Sequence, residues 1–196
     1  MVHAVDPRSL LGTKLTLEEW ACLPEDVPGE LVDDRLVEEE MSDYVHEVIV
    51  AFLARILGLW GDGVGALVAT SDARFAVARG RGRKPDLTVF FAGRRPPRRG
   101  LVRIPPDIAV EVISASADDV HRDRVEKLEE YAEFGIRWYW IVDPDRKTIE
   151  IRELLPGGSY GVAAELKTGA AAHVPGCEGL LLPLDALWSK LDELGD

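Results

Sequence analysis

The chain has 196 residues, 46% hydrophobic and 30% charged, a balance that suits one soluble domain with a real core and excludes a disordered chain. The formal net charge of −12 disfavours nonspecific nucleic-acid binding, and no apolar run approaches the ~20 residues a membrane helix needs. Cys22 and Cys177 are the two cysteines and form no CxxC, which speaks against a disulfide scaffold or a zinc site and fits a reducing cytoplasm; the opening "MVHAVDPRSLLGTKL" lacks the layout of a signal peptide.

In chain order, residues 16–26 predict a short helix, with Thr16 as cap, Glu19 three residues on, and Pro24 and Pro28 ending it. Residues 29–40 alternate around Asp33-Asp34 and predict a small hairpin. A long helix follows at 42–60: Ser42 or Asp43 can cap it, Val45, Ile49, Phe52, Leu53, Ile56 and Leu57 recur at helical spacing, and Gly58, Gly61, Gly63 and Gly65 close it. Then come short β-rich runs, "GALVAT", "ARFAVA", "DLTVFF", "DIAVEVI", "WYWIVD" and "TIEIREL", interrupted by a helix at 119–134 that stops at Gly135. A last strand is predicted at 159–166 and a closing helix at 183–194. The connection from 108–113 through the helix to 138–142 reads as a right-handed βαβ unit with parallel strands. These elements predict one domain over 1–196: a three-layer α/β fold with a mixed central sheet flanked by helices.

Charge is unevenly spread. Residues 74–103 hold ten Arg and Lys against the single acid Asp86. Arginine is the better bidentate partner of phosphate, so Arg79, Arg81, Arg83 and Lys84, flanking Asp86, are candidates for nucleic-acid contact. A solvated hairpin and loop, balanced by acidic neighbours or a partner subunit, accounts for the same residues.

The candidate chemistry lies in two carboxylates. Glu111 sits inside an apolar strand and faces with Ala109 and Ile113, where a lone charge is costly unless paired. Asp86 opens the preceding strand, and if the two strands are neighbours the carboxylates converge. So close a pair needs a cation, and oxygen ligands alone favour Mg²⁺ or Mn²⁺. An Asp after Pro at a strand start is also a common turn or cap residue. The helical projection puts Lys127 on the edge of the buried arc of helix 119–134 and Arg124 deeper within it; either can reach back to the sheet, and Lys127 can equally snorkel to solvent.

Proline-aspartate followed by Glu on the next strand resembles the start of the PD-(D/E)xK phosphodiesterase motif, although Ile113 stands where that motif has its lysine. Together Pro85-Asp86, Glu111-Val112-Ile113-Ser114, Lys127 with Tyr131, and Tyr139-Trp140-Ile141-Val142-Asp143-Pro144 resemble the Uma-two endonuclease family, a bacterial branch of that fold. "GELVDDRLVEEE" and "SDYVHEVI" resemble the family's front end, with Asp34 where the family usually has Gly. The resemblance spans about 15–165 as a nuclease-like core, leaving 166–196 as a strand and helix extension.

The resemblance implies a restriction-endonuclease-like fold and a Mg-dependent endonuclease acting on DNA. It implies Asp86 and Glu111 as metal ligands, Lys127 as the relocated motif lysine, and Glu30 and His46 as accessory positions. Glu47 competes with His46 as an acidic helix residue, and Ser114 reads as a strand end, since no Gly-x-Ser-x-Gly surrounds it. A catalytically inactive nucleic-acid-binding or assembly module is the rival reading, and a carboxylate-pair glycoside hydrolase a weaker one. The closing "LLLPLDALWSKLDEL" is either an apolar homodimer interface or a segment packed on its own domain.

Overall fold

The computed structural model describes residues 7–24, 27–38, 43–113 and 121–195. Its centre is a six-stranded mixed sheet of β3 (Leu67–Thr70), β6 (Leu87–Phe90), β7 (Ile108–Val112), β8 (Trp138–Asp143), β9 (Thr148–Leu154) and β10 (Tyr160–Leu166), in the order β10-β9-β8-β7-β6-β3. Strands β7 and β8 pair in parallel and the other pairs are antiparallel, as a single βαβ crossover requires. A second, four-stranded sheet, β2-β1-β5-β4, combines the hairpin β1 (Glu30–Val32) and β2 (Arg35–Val37) with β4 (Phe75–Ala78) and β5 (Arg81–Arg83).

Helix α2 (Tyr44–Val64) covers one face of the central sheet. Its Ile49, Leu53 and Leu57 pack with Leu87, Val89, Ile108, Val110, Trp140 and Val142, all fully buried. Asp43 caps it, its side chain accepting from the His46 amide at 2.8 Å, while Ser42 lies outside the described residues. The helix runs four residues past the predicted end. Gly58, Gly61 and Gly63 are interior positions, and only Gly65, at φ 73°, is the left-handed stop. Gly61 lies where α2 meets β3: a Cβ there would stand 3.4 Å from the Val68 side chain, an ordinary van der Waals contact.

The opposite face carries a π-helical turn, Arg122–Glu126, continuing into α3 (Lys127–Phe134). This layer and β4 bury Phe75, Val77, Phe90, Ala109, Ile113, Tyr131, Tyr139 and Ile141 against the sheet. A third small cluster places Trp20 of α1 (Leu17–Ala21) on Val27, Leu31 and Leu36. The capping box at Thr16 and Glu19 forms as predicted, but α1 is only five residues long. Arg74 collects the carbonyls of Trp20, Ala21, Leu23 and Pro24 at its end, within 2.8–3.2 Å.

The hairpin turns through Asp33 (φ 50°) and Asp34 (φ 60°), the two positive φ values that the tightest hairpin loops demand. Asp34 therefore makes the turn that glycine usually makes. The C-terminal segment, with α4 (Leu184–Asp192), inserts Leu180, Leu182, Leu184, Leu187 and Trp188 into the α2 core, the intramolecular alternative for the closing apolar stretch. Among the described residues, no helix is long and apolar enough to cross a membrane.

Candidate active site

The register of the central sheet assembles the site. Leu87 pairs with Val110 and Thr88 with Ala109, so one step further Asp86 stands opposite Glu111. On the other side Glu111 pairs with Ile141 of β8. Glu111, Ala109, Tyr139 and Ile141 share the face under α3, which is why a carboxylate in an apolar strand meets a helix and not solvent. Glu111 is 3% exposed.

Both Glu111 oxygens are engaged. Tyr131 OH donates to Oε1 at 2.5 Å, and Lys127 Nζ donates to Oε2 at 2.9 Å. Lys127 also lies 2.8 Å from Asp123 Oδ1, so one buried ammonium bridges two buried carboxylates. Burial pushes the Glu111 carboxyl well above its ordinary range; Lys127 opposes this, while Asp86, Asp123 and Glu30 push the same way. Burial also raises Asp123 against the pull of Lys127. Burial would lower Lys127, but Asp123, Glu111 and Glu30 together hold it well above the usual lysine range. The cluster thus carries more carboxylate than its one ammonium offsets.

Asp86 is held differently. Its Oδ2 accepts from the Val112 amide at 2.7 Å and lies 3.0 Å from His46 Nε2. The backbone of the strand that carries Glu111 therefore fixes the carboxylate opposite it. His46 points inward from the first turn of α2. Burial would lower its pKa, but hydrogen bonding and charge from Asp86 raise it. Its Nδ1 is buried with no hydrogen-bond partner and sits 3.6 Å from Glu47 Oε1. Glu47, the competing acidic residue, is mostly exposed.

Glu30 lies one layer behind. Arg83 Nη1 donates to it at 2.7 Å and the Lys84 amide at 2.8 Å. Burial raises its carboxyl, but the charges of Lys127 and Arg83, with the Lys84 amide, outweigh burial and hold it at about 2. Arg83 also donates to Glu130 of α3 at 2.6 and 2.8 Å, tying β1, β5 and α3 together.

Of the basic residues singled out for nucleic acid, Arg83 is fully buried in this ion-pair network and Lys84 is 8% exposed, near Asp72. Arg81 is half-buried and paired with Glu130 and Asp33; Arg79 is exposed. Elsewhere in the segment Arg94 pairs with Asp107 and Arg103 with Glu18. Five of the ten basic residues of this segment, Arg81, Arg83, Lys84, Arg94 and Arg103, thus lie beside acidic side chains.

Arg124 turns away from Glu111 to Asp143 and Glu150, at 3.3 and 3.0 Å. Ser114 lies outside the described residues. Sequence reasoning missed Asp123 and Tyr131's contact with Glu111. The signal for Asp123 was present: an acid four residues before Lys127 shares its helix face.

A family model described as putative restriction endonuclease, Uma2, matches residues 16–185. The crystal structure of a putative nuclease belonging to DUF820 from Anabaena variabilis ATCC 29413 is similar to this chain, with a TM-score of 0.69 and 21% sequence identity over 90% of this chain and 99% of that one. At that identity the likeness shows a shared fold. No curated protein matches.

Proposed function

This chain belongs to the Uma2 family, and on that premise we propose that it is a metal-dependent phosphodiesterase, an endonuclease acting on DNA. The observation that supports the reading is the strand register that sets Asp86 opposite Glu111 at the ends of β6 and β7, with Lys127 on Glu111. Among the described residues no group of three or more His, Cys, Asp or Glu side chains is arranged to hold a metal. Mg²⁺ does not need one: it commonly takes one or two carboxylates and fills its octahedron with other oxygens. Asp86, Glu111 and a backbone carbonyl beside Glu111 offer hard oxygen donors, and the excess of buried carboxylate favours a divalent cation there.

Bound at these residues, the metal would supply a water of lowered pKa and offset charge on the phosphate. The protein's own groups do the rest. The Val112 amide and His46 orient Asp86, and Tyr131 fixes the Glu111 carboxylate. Lys127, held at Glu111, would offer its ammonium to an attacking water or a phosphoryl oxygen and stabilise the charge that develops there. Exposed Arg79 and half-buried Arg81 supply phosphate contacts beside the site; Arg83 and Lys84, expected in the same role, would act from behind it through Glu30 and Glu130.

A second reading draws on one feature: Ile113 occupies the usual lysine position while Lys127 clasps the carboxylate, as in a non-catalytic binding module. Plasmid and oligonucleotide cleavage in Mg²⁺ and Mn²⁺, wild type against Asp86→Ala, separates the two. Cleavage lost in Asp86→Ala supports the nuclease. Nucleic-acid binding without cleavage by the wild type supports the module.

A further inference from the structure

Lys127 reaches two carboxylates at once, Glu111 Oε2 at 2.9 Å and Asp123 Oδ1 at 2.8 Å. The other Glu111 oxygen is taken by Tyr131. A cation that binds Glu111 at Oε2 therefore competes with the ammonium there and is repelled by its charge. A lysine only 7% exposed has no solvent to retreat to, so it needs a second anion within reach.

Asp123 meets that requirement. It is 2% exposed, and its Oδ1 lacks a well-aligned hydrogen-bond donor despite the short charge contact. It sits in the π-helical turn, a local widening of the helix that tends to occur at functional sites. That turn is pinned to the sheet: Tyr139 OH donates to the Asp123 carbonyl at 3.0 Å, and the Tyr139 ring packs edge-on against Tyr131 at 5.1 Å. Tyr139 thus pins the backbone of Asp123 and packs on Tyr131, the residue that orients Glu111, so the Asp123 carboxylate is kept beside Lys127.

We infer that Asp123 is a positioning residue, a second berth that takes the Lys127 ammonium when Glu111 turns to a divalent cation. Lys127 then remains at the site as a charge for the phosphate and does not compete for the ligand. This rests on the metal-dependent reading above. Without Asp123 the ammonium has Glu111 as its close partner and opposes the metal.

Mn²⁺ binding to the full chain, measured by calorimetry at fixed pH with circular dichroism as the folding control, tests this. Asp123→Asn is expected to weaken Mn²⁺ binding about tenfold, the scale on which groups behind metal ligands act. Asp123→Asn with Lys127→Met is expected to regain near wild-type affinity, because the competitor is gone; a merely structural loss would not recover. Lys127→Met alone should bind Mn²⁺ at least as well as wild type, an expectation independent of how Asp123→Asn folds. Wild-type affinity in Asp123→Asn, no recovery in the double variant, or weakened binding in Lys127→Met overturns the inference. Those results leave the metal reading intact, whereas wild-type protein that binds no Mn²⁺, or binds it regardless of Asp86→Ala, overturns both.

Discussion

Replacing Arg83 with Met tests whether the buried ion network holds the small sheet to the site. Met has a comparable reach, so packing is largely kept while three hydrogen bonds, at 2.6, 2.7 and 2.8 Å, disappear. Glu30 and Glu130, 5% and 6% exposed, are left as buried carboxylates, and removing one side of such a pair costs about 3–5 kcal/mol. Glu130 keeps Arg81 and Glu30 keeps the Lys84 amide, which favours the lower end. For a chain of this size about 3 kcal/mol lowers the melting temperature by about 10 °C.

The pH dependence identifies the cause. A Glu30 carboxyl held at about 2, against an ordinary 4.5, contributes about 3 kcal/mol at neutral pH. Because the folded value is depressed, that contribution is present above 4.5 and is lost as pH falls through about 2. Arg83 supplies part of the depression, so the deficit of Arg83→Met is greatest at neutral pH and narrows as pH falls from 4.5 toward 2. Urea unfolding across pH 2–7, followed by tryptophan fluorescence, reads both quantities. A deficit below about 1 kcal/mol at pH 7, the scale of an exposed pair, or one that does not change with pH, would refute the electrostatic account.

Tyr131→Phe deletes the donor to Glu111 Oε1 and leaves that buried oxygen unpaired, so urea unfolding should show a loss of about 2 kcal/mol. Cleavage by the folded variant should fall about tenfold as Glu111 loses its orientation; unchanged rate and stability would count against the contact. Arg79→Ala should leave the melting temperature within about 2 °C, since the side chain is exposed, while the log–log salt slope of DNA binding falls by about 0.9 if one phosphate contact is lost. A thiol reagent should modify exposed Cys22 in the native protein and Cys177 only after unfolding, because burial both hides the latter and pushes it up to about 12. Two thiols reacting at equal rates in the folded chain would contradict the buried environment.

Much of the frame was legible because it follows from period and turn chemistry. The alternation in β6 and β7, with Asp86 and Glu111 one register step beyond their last paired residues, came from a two-residue repeat. The parallel β8 followed from the intervening helix, and the Asp33-Asp34 hairpin from its turn residues. The site's interior was less legible for a physical reason. A wheel at 100° per residue assumes a uniform α-helix, but the segment through Glu126 is wound wider. The apolar Val125 is 42% exposed, while the buried side presents Asp123, Lys127 and Glu130 beside Tyr131. A hydrophobic pattern has no means of marking a buried face made of charges. The same limit applies to Arg83: in the sequence it is one arginine in a basic run, and its partners, Glu30 and Glu130, lie far away along the chain.

The C-terminal segment has a consequence for how the protein is made. The core that α2 forms with the sheet also contains Leu180, Leu182, Leu187 and Trp188, residues translated long after the helix itself. During synthesis, α2 and the sheet can exist before the segment that completes their core. A nascent chain halted near residue 166 would present an uncovered apolar seam, and that is the stage at which chaperone capture and self-association are expected to peak. Folding to the compact state should be complete only once the Leu184–Asp192 helix has emerged and docked.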